Sequence, residues 1–276
     1  MIFFFFNLKY KLRKTVNRLI INKMRKTLIK KIGNKEKKSW LKEKEKEWRK
    51  NANFWIKIIR QNLDPYRAKV TNRAVLEIFK KEGKMKILDA GCGEGYLCRL
   101  LAKQGHKLTG IDFCPDLIEA AQKLEKEKPL GIKYLSGDFR ATNLPAGSFN
   151  AIVSHQTIHE INNPQKAFQE FKRLLKKKGR LVLLFIHPCF DVEPEKYFAK
   201  VKIKKSYYLV SGIKSPSSYF YLHLPLSQWT AYLKKGGFTI KKIEEPQPSK
   251  NLFRKNKWWK ENFKKPLFIL IEAVKN

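Results

Sequence analysis

The chain has 276 residues, 43% of them hydrophobic and 13% aromatic, with 60 Lys and Arg against 24 Asp and Glu for a formal net charge of +36. That is enough apolar material for one or two cored domains, so the sequence reads as a globular protein with a basic appendage. No apolar run approaches the roughly 18 residues of a spanning helix, and Cys92, Cys98, Cys114 and Cys189 form neither a C-x-x-C pair nor a ligand-spaced cluster with His, which argues against a transmembrane protein, a disulfide scaffold and a metal module and predicts a reduced, cytoplasmic protein.

Residues 1–50 carry 18 Lys and Arg against 4 Asp and Glu, a net +14. The opening Met1 to Phe6 is too short to cross a bilayer, and it precedes the charges where the apolar region of a signal peptide would follow them. Over 8–32, Leu8, Leu12, Val16, Leu19, Ile20, Met24 and Leu28 recur mostly three or four apart among Lys and Arg, predicting a basic amphipathic helix suited to a membrane surface or a partner. Residues 35–50 read as a charge-rich helix or linker. Nucleic acid, or an anionic membrane face bound peripherally, is the partner class that such a charge attracts. A genome biased towards A/T-rich codons for Lys, Ile, Asn and Phe accounts for the same charge with no partner.

The globular domain is expected over 51–276. Phe54 to Ile59 and Ala74 to Phe79 have helical spacing and are joined by Leu63-Asp64-Pro65-Tyr66-Arg67. Short apolar runs at 85–90, 107–112, 132–136, 149–154 and 180–186 then alternate with helical patterns near 95–104, 115–127 and 164–176, which predicts an α/β fold with a mostly parallel sheet covered on both faces. Residues 188–226, rich in Tyr, Ser and Pro, read as an insertion or lid on the acceptor side. After a helix near 227–235 come two further strands, Phe238 to Ile243 and Leu267 to Val274. No helical stretch clearly long enough for a crossover separates them, so the last strand is expected to run antiparallel.

In open parallel sheets a ligand sits beyond the C-terminal strand ends, and three of these ends carry acids. The first reads Asp89-Ala90-Gly91-Cys92-Gly93-Glu94-Gly95. Its third glycine comes one residue too early for the dinucleotide fingerprint, which would need glycine at Tyr96, and Asp89 before the first glycine suits a ligand with an ammonium better than one with a pyrophosphate. The second strand ends at Asp112, where an acid can accept both hydroxyls of a ribose. The third ends in Gly137-Asp138-Phe139, an acid that can accept from an adenine amino group with an apolar ring beside it.

With these residues in view, the chain resembles the class I S-adenosylmethionine-dependent methyltransferases, in particular the quinone-biosynthesis and other small-molecule members. The resemblance covers about 84–276 through "ILDAGCGEGYL", "LTGIDFCPDLIEAA", "IKYLSGDFRATNLPAGSFNAIVSHQTIHEI", "AFQEFKRLLKKKGRLVLLF" and the terminal "GFTIKKIEEP" and "PLFILIEAVK". It implies a Rossmann-like three-layer sandwich, a seven-stranded sheet with an antiparallel last strand, S-adenosyl-L-methionine as cofactor and a small-molecule acceptor. By the same resemblance Asp89, Gly91, Gly93 and Gly95 would line the methionine part of the cofactor, Asp112 the ribose, Phe113 the adenine face, Asp138 and Phe139 the adenine edge, and His155 the sulfonium.

Methyl transfer is an in-line displacement served mainly by orientation and exclusion of water, and a base is needed only if the acceptor must lose a proton. His155, His159, His187 and Asp191 are the candidates, with Tyr197 more peripheral. Ser154-His155-Gln156-Thr157 departs from the [DN]-P-P-[FY] pattern of amide and adenine-amino methyltransferases. Cys189 after the fifth strand stands near where RNA cytosine methyltransferases place a nucleophile, so an RNA methyltransferase is the alternative enzyme and a non-catalytic cofactor-fold binding protein the alternative to both.

Overall fold

The computed structural model describes residues 40–207 and 213–276; the amphipathic segment expected over 8–32 lies outside them. The chain divides into two compact units, Met1–Lys44 and Glu45–Asn276. Of the first, residues 40–44 are described and are helical. The second begins at Glu45, so the helical turns just before residue 51 belong to it.

Helix α1 (residues 45–60) opens this second unit. Its apolar positions recur at helical spacing, and Ala52, with Trp48 and Ile56, packs on Cys114 and Leu117. Asn62, at a φ of 54°, turns the chain, and the Asp64 carboxylate accepts from the Arg67 backbone N–H. A single π-helical turn, Arg67–Thr71, leads into α2 (Asn72–Phe79), which buries Val75 and Phe79 completely.

The alternating pattern then forms as its periodicity requires: β1 (Lys86–Ala90), α3 (Tyr96–Lys103), β2 (Lys107–Asp112), α4 (Pro115–Glu127), β3 (Lys133–Ser136), β4 (Phe149–His155), α5 (Pro164–Leu174) and β5 (Leu175–Ile186). A ribbon, β6 (Val201–Lys205) with β7 (Tyr219–His223), precedes α6 (Leu226–Lys235) and β8 (Phe238–Glu244). Two helices of six residues, α7 (Lys250–Lys255) and α8 (Lys257–Asn262), lead into β9 (Phe268–Lys275).

The main sheet has seven strands in the order β3-β2-β1-β4-β5-β9-β8. β1 to β5 are mutually parallel, and β9 runs antiparallel between β5 and β8, with Ile271 facing Leu183 on one side and Ile243 on the other. The antiparallel end agrees with the absence of a long crossover helix: the connection 245–267 holds two helices of six residues each. Central strands with helices on both faces read as continuous apolar runs, and Ile87, Leu88, Ile152 and Val153 are accordingly inaccessible.

Two elements depart from the expected boundaries. The helix expected over 164–176 ends at Leu174, because Leu175 pairs with Phe149 and a bulge through Lys178, at a φ of 58°, precedes the main register of Ala151 with Arg180. Residues 188–226 contain the antiparallel β6–β7 ribbon, with Val201 opposite His223. Trp229 of α6 is 2% exposed and lies 4.7 Å from the Phe185 ring, which ties this region to β5.

Candidate active site

β1 delivers Asp89 to the C-terminal edge of the sheet, and the chain then turns tightly into α3. Gly91 and Cys92 both donate their N–H to the Ile111 carbonyl, and Gly95 donates to Cys92. Gly91 and Gly95 have φ of 84° and 81°, and a Cβ on them would collide with the Thr157 side chain and the Tyr134 ring respectively. Glycine is therefore required twice, by backbone conformation and by close approach. Gly93 differs: a Cβ there would meet nothing within 4 Å, so the middle of the turn faces open space.

Two carboxylates flank the turn, Asp89 at the end of β1 and Asp112 at the end of β2. Asp112 accepts from Gly93 N–H and from Cys114 N–H, each at 2.9 Å, so it ties the glycine turn to the start of α4. Burial raises its pKa to about 6 against those donors, and the neighbouring Glu160 pushes the same way. Asp89 is 1% exposed. One oxygen accepts from the Cys98 thiol at 3.4 Å, and the other, Oδ1, has no partner. Burial raises its pKa to about 7, opposed by the Cys98 contact and by Arg67. The other acid of the glycine motif serves differently: Glu94 is buried and pairs with Arg99 at 2.6 Å and Arg60 at 3.2 Å, clamping the turn to α3 and α1.

At the third strand end Asp138 is gripped through both oxygens by the Arg140 guanidinium at 2.8 to 3.0 Å, and Arg140 also reaches Asn162. Phe139 is buried with its ring 5.7 Å from that of Phe171 in α5. Phe113, after Asp112, is half-buried.

β4 brings its end alongside the glycine turn: Ser154 Oγ donates to the Ala90 carbonyl and Thr157 Oγ1 to the Gly91 carbonyl, both at 3.1 Å. His155 is 6% exposed and its Nε2 has no partner. Burial, reinforced by Arg67, holds its pKa well below the usual imidazole range, so the ring is neutral. His159 follows on a single 3-10 turn, Ile158–Glu160, with its ring near those of Phe185 and Tyr221.

Beside these strand ends opens a cavity of about 500 Å³. Glu47, Trp48, Asn51 and Trp55 of α1 form one wall, continued by Asp64, Tyr66 and Arg67. Gln156, His159 and Glu160 come from the segment after β4, and Ile186, Phe190 and Asp191 from the segment after β5. Lys205, Tyr207 and Tyr219 of the ribbon region close it. Trp48 Nε1 donates to Glu160 at 2.7 Å, and Asp191 accepts from Lys205 and from the Tyr221 hydroxyl.

Of the sequence candidates, His159 and Asp191 line this cavity, while His155 lies buried at the end of β4 outside the lining. His187 is turned elsewhere: its Nδ1 faces Cys189 Sγ at 2.9 Å and its Nε2 lies 3.2 Å from Glu245. Tyr197 packs on His223. Cys189 is likewise outside the lining, and burial pushes its thiol pKa up, the opposite of what a nucleophilic thiolate needs. Arg67, Glu160, Tyr207 and Tyr219 were not singled out by sequence. The signal for one wall was present, since Trp48 and Trp55 stand seven apart on one helix face.

Residues 88–183 match the family described as methyltransferase domain. The chain is 29% identical over 164 residues to the malonyl-[acyl-carrier protein] O-methyltransferase of Paenibacillus sp. (strain JDR-2), covering 58% of this chain and 57% of that protein. It is 31% identical over 104 residues to the ubiquinone biosynthesis O-methyltransferase of Coxiella burnetii (strain Dugway 5J108-111), covering 38% and 44%. The chain thus spans about half the length of these curated relatives. Among solved structures, an S-adenosylmethionine dependent methyltransferase from Mesorhizobium loti superposes with a TM-score of 0.60 at 20% identity, over 74% of this chain and 96% of that one, which shows a shared fold. The matched stretch lies over the glycine turn, its two acids and the parallel strands behind them, so residues 88–183 carry a methyltransferase domain in a chain that shares the fold of S-adenosylmethionine-dependent methyltransferases.

Proposed function

We propose that this chain transfers a methyl group from S-adenosylmethionine to a small molecule held in the 500 Å³ cavity. Asp89, Asp112 and Gly93 fit that cofactor. Asp89 offers a buried oxygen without a partner, suited to an ammonium. Asp112 keeps lone pairs beyond the two backbone donors it already serves, suited to ribose hydroxyls. Gly93 leaves open the space that a side chain would fill. In this reading Asp89 with Gly91, Gly93 and Gly95 holds the methionine part, Asp112 and Phe113 the ribose and adenine face, Asp138 and Phe139 the adenine edge, and His155 stands beside the sulfonium. When bound, the cofactor supplies an electrophilic methyl group.

The chain's own contribution is placement. Aromatic walls from α1 and the ribbon exclude water and fix an acceptor against the strand ends, which raises the effective concentration of the reacting atoms. His159, or the adjacent Glu160, is positioned on the cavity wall to take a proton from an acceptor that carries one. Neutral, buried His155 serves better as an oriented polar wall than as a base, because protonating it would place a charge in a site that disfavours one.

The observation that carries this reading is the pair of buried carboxylates, Asp89 and Asp112, at the strand ends that flank the glycine turn, Asp89 with one oxygen unpartnered. Calorimetric titration with S-adenosylhomocysteine tests it. The protein is expected to bind, and Asp112→Ala to weaken binding at least about tenfold, the equivalent of roughly 1.4 kcal/mol. Absence of binding, or binding indifferent to Asp112→Ala, refutes it.

A further inference from the structure

A second set of reactive side chains gathers at the sheet edge, apart from the cavity lining. β9 runs antiparallel between β5 and β8, so the ends of β5 and β8 and the start of β9 share one edge. His187 and Cys189 follow β5, Glu245 follows β8 and Lys265 precedes β9. His187 N–H donates to the Leu267 carbonyl, and Phe190 N–H to the His187 carbonyl, closing a turn with Pro188 at the second position, where its fixed φ suits a turn. The turn folds Cys189 back onto the His187 ring, with Sγ 2.9 Å from Nδ1.

One donor that cannot be reversed sets the direction of the chain of hydrogen bonds. The Cys189 backbone N–H points at Nδ1 from 3.1 Å, so Nδ1 accepts and the ring proton sits on Nε2. Nε2 in turn lies 3.2 Å from Glu245 Oε1. Nδ1 is therefore the atom that can take the thiol proton, and the Glu245 carboxylate steadies the imidazolium that results. Nucleophile, base and orienting acid stand in the order that activates a weak nucleophile. At rest thiol and ring are neutral: burial pushes the Cys189 thiol up against the pull of Lys265, and holds His187 below the usual imidazole range against Glu245. The sulfur becomes a thiolate only as its proton moves to Nδ1, and the Lys265 ammonium, 3.3 Å from the Cys189 carbonyl oxygen, favours that charge. Of the chain's four cysteines, Cys92, Cys98 and Cys114 are buried and Cys189 is half-buried.

We propose that Cys189, served by His187 and Glu245, is a modification site for small hydroperoxides, which oxidise it to the sulfenic acid. The thiol proton passes to Nδ1 and the sulfur attacks one peroxide oxygen. The S–O bond forms as the O–O bond breaks, and the leaving oxygen takes that bond's electron pair and the proton from Nδ1, departing as water or an alcohol. Sulfur gives up two electrons and the peroxide takes them. His187 serves both halves, first as base and then as acid. An alkylating reagent whose leaving group needs no proton uses only the first half, so a peroxide is the electrophile that this arrangement favours, and a half-buried sulfur limits it to small ones. The modified residue precedes Phe190 and Asp191, which line the cavity.

The test treats the full chain with hydrogen peroxide, traps the sulfenic acid with dimedone and locates it by mass spectrometry, with iodoacetamide as the parallel reagent. The dimedone label is expected on Cys189 and not on the three buried cysteines, forming at least about tenfold faster than on N-acetylcysteine at the same pH. His187→Asn keeps a side-chain acceptor for the Cys189 N–H and removes the base, and it is expected to slow the peroxide reaction at least about tenfold but alkylation by no more than about threefold. Glu245→Gln keeps an oxygen for Nε2–H and removes the charge; it is expected to slow the peroxide reaction about threefold with the same bias between reagents, and it serves as the second variant should His187→Asn fail to fold. A rate no faster than that of N-acetylcysteine, a label on another cysteine in place of Cys189, or an equal fall with both reagents, as loss of access alone would give, overturns the proposal. None of these readouts involves S-adenosylmethionine, so the outcome is independent of the methyltransferase reading.

Discussion

Asp89 makes a stability prediction whose sign runs against ordinary expectation for a motif residue. Replacing it by Asn removes a carboxylate from a site where it is 1% exposed, has one weak donor in Cys98 and leaves Oδ1 without any. Burial moves its pKa from 3.8 to about 7, which corresponds to roughly 4 kcal/mol of preference for the neutral form in the folded protein. A carboxyl whose folded pKa is raised stabilises fully below the unfolded value, where both states are protonated. That contribution is lost as pH rises through the folded pKa, because the folded state must then hold a buried charge.

Asp89→Asn mimics the neutral form at every pH. The variant is therefore expected to be the more stable protein, by a margin that grows between about pH 4 and 7 and levels off above, reaching roughly 2 to 4 kcal/mol. Asp112, raised to about 6 for the same main reason, relaxes slightly when its neighbour loses its charge. Urea unfolding of the ligand-free proteins at about pH 5, 6, 7 and 8 measures the margin. In parallel the variant is expected to lose S-adenosylhomocysteine binding, so stability and ligand binding move in opposite directions. A variant that is less stable than the parent, or a margin that does not change with pH, refutes the claim that this carboxylate is held at a cost for a ligand.

Two further substitutions test the turn itself. Glu94→Gln leaves the Arg99 guanidinium, 14% exposed, without its carboxylate, and is expected to destabilise by roughly 3 kcal/mol, the lower end of the range for breaking one side of a buried pair because Arg99 keeps some solvent; a shift in urea midpoint worth less than about 0.5 kcal/mol counts against the clamp. Gly91→Ala adds a Cβ at a φ of 84° against the Thr157 side chain and is expected to cost roughly 1 to 3 kcal/mol, part of which Thr157→Ala recovers in the double variant. Strictly additive losses in that cycle would show that the two residues do not meet.

What the sequence disclosed and what it concealed differ by the distance over which each feature is encoded. β1, β2, β3 and β4 were legible because each is a short apolar run bounded by turn residues, and the antiparallel β9 because no long helical pattern stands between it and β8. The acids were legible because a strand end and a glycine turn are contiguous in the chain. The identity of Arg140 as the partner of Asp138 was not, since an Asp two residues before an Arg has no preferred contact until the loop is folded. Likewise the two acids in "DAGCGE" look equivalent in sequence, and their opposite roles depend on Arg60, which α1 brings from 34 positions away.

The cavity is the extreme case. Its lining draws on α1, the turn before α2, the segments after β4 and β5, the ribbon region and the start of β9, and no local pattern encodes a cavity made by so many separate stretches. The same division explains the reach of the family match. Residues 88–183 contain the glycine turn, Asp112 and the short stretch Gln156, His159 and Glu160, but none of the walls contributed by α1 or by the ribbon. A cofactor common to many enzymes is bound by backbone and strand-end acids that the sheet topology fixes, so that part recurs in sequence. An acceptor is recognised by side chains on peripheral elements, which can change without disturbing the sheet. Trp48, Trp55, Arg67, Tyr207 and Tyr219 accordingly line the cavity from outside the matched stretch, and Glu160 is where the two parts meet: it lines the cavity and also raises the pKa of Asp112.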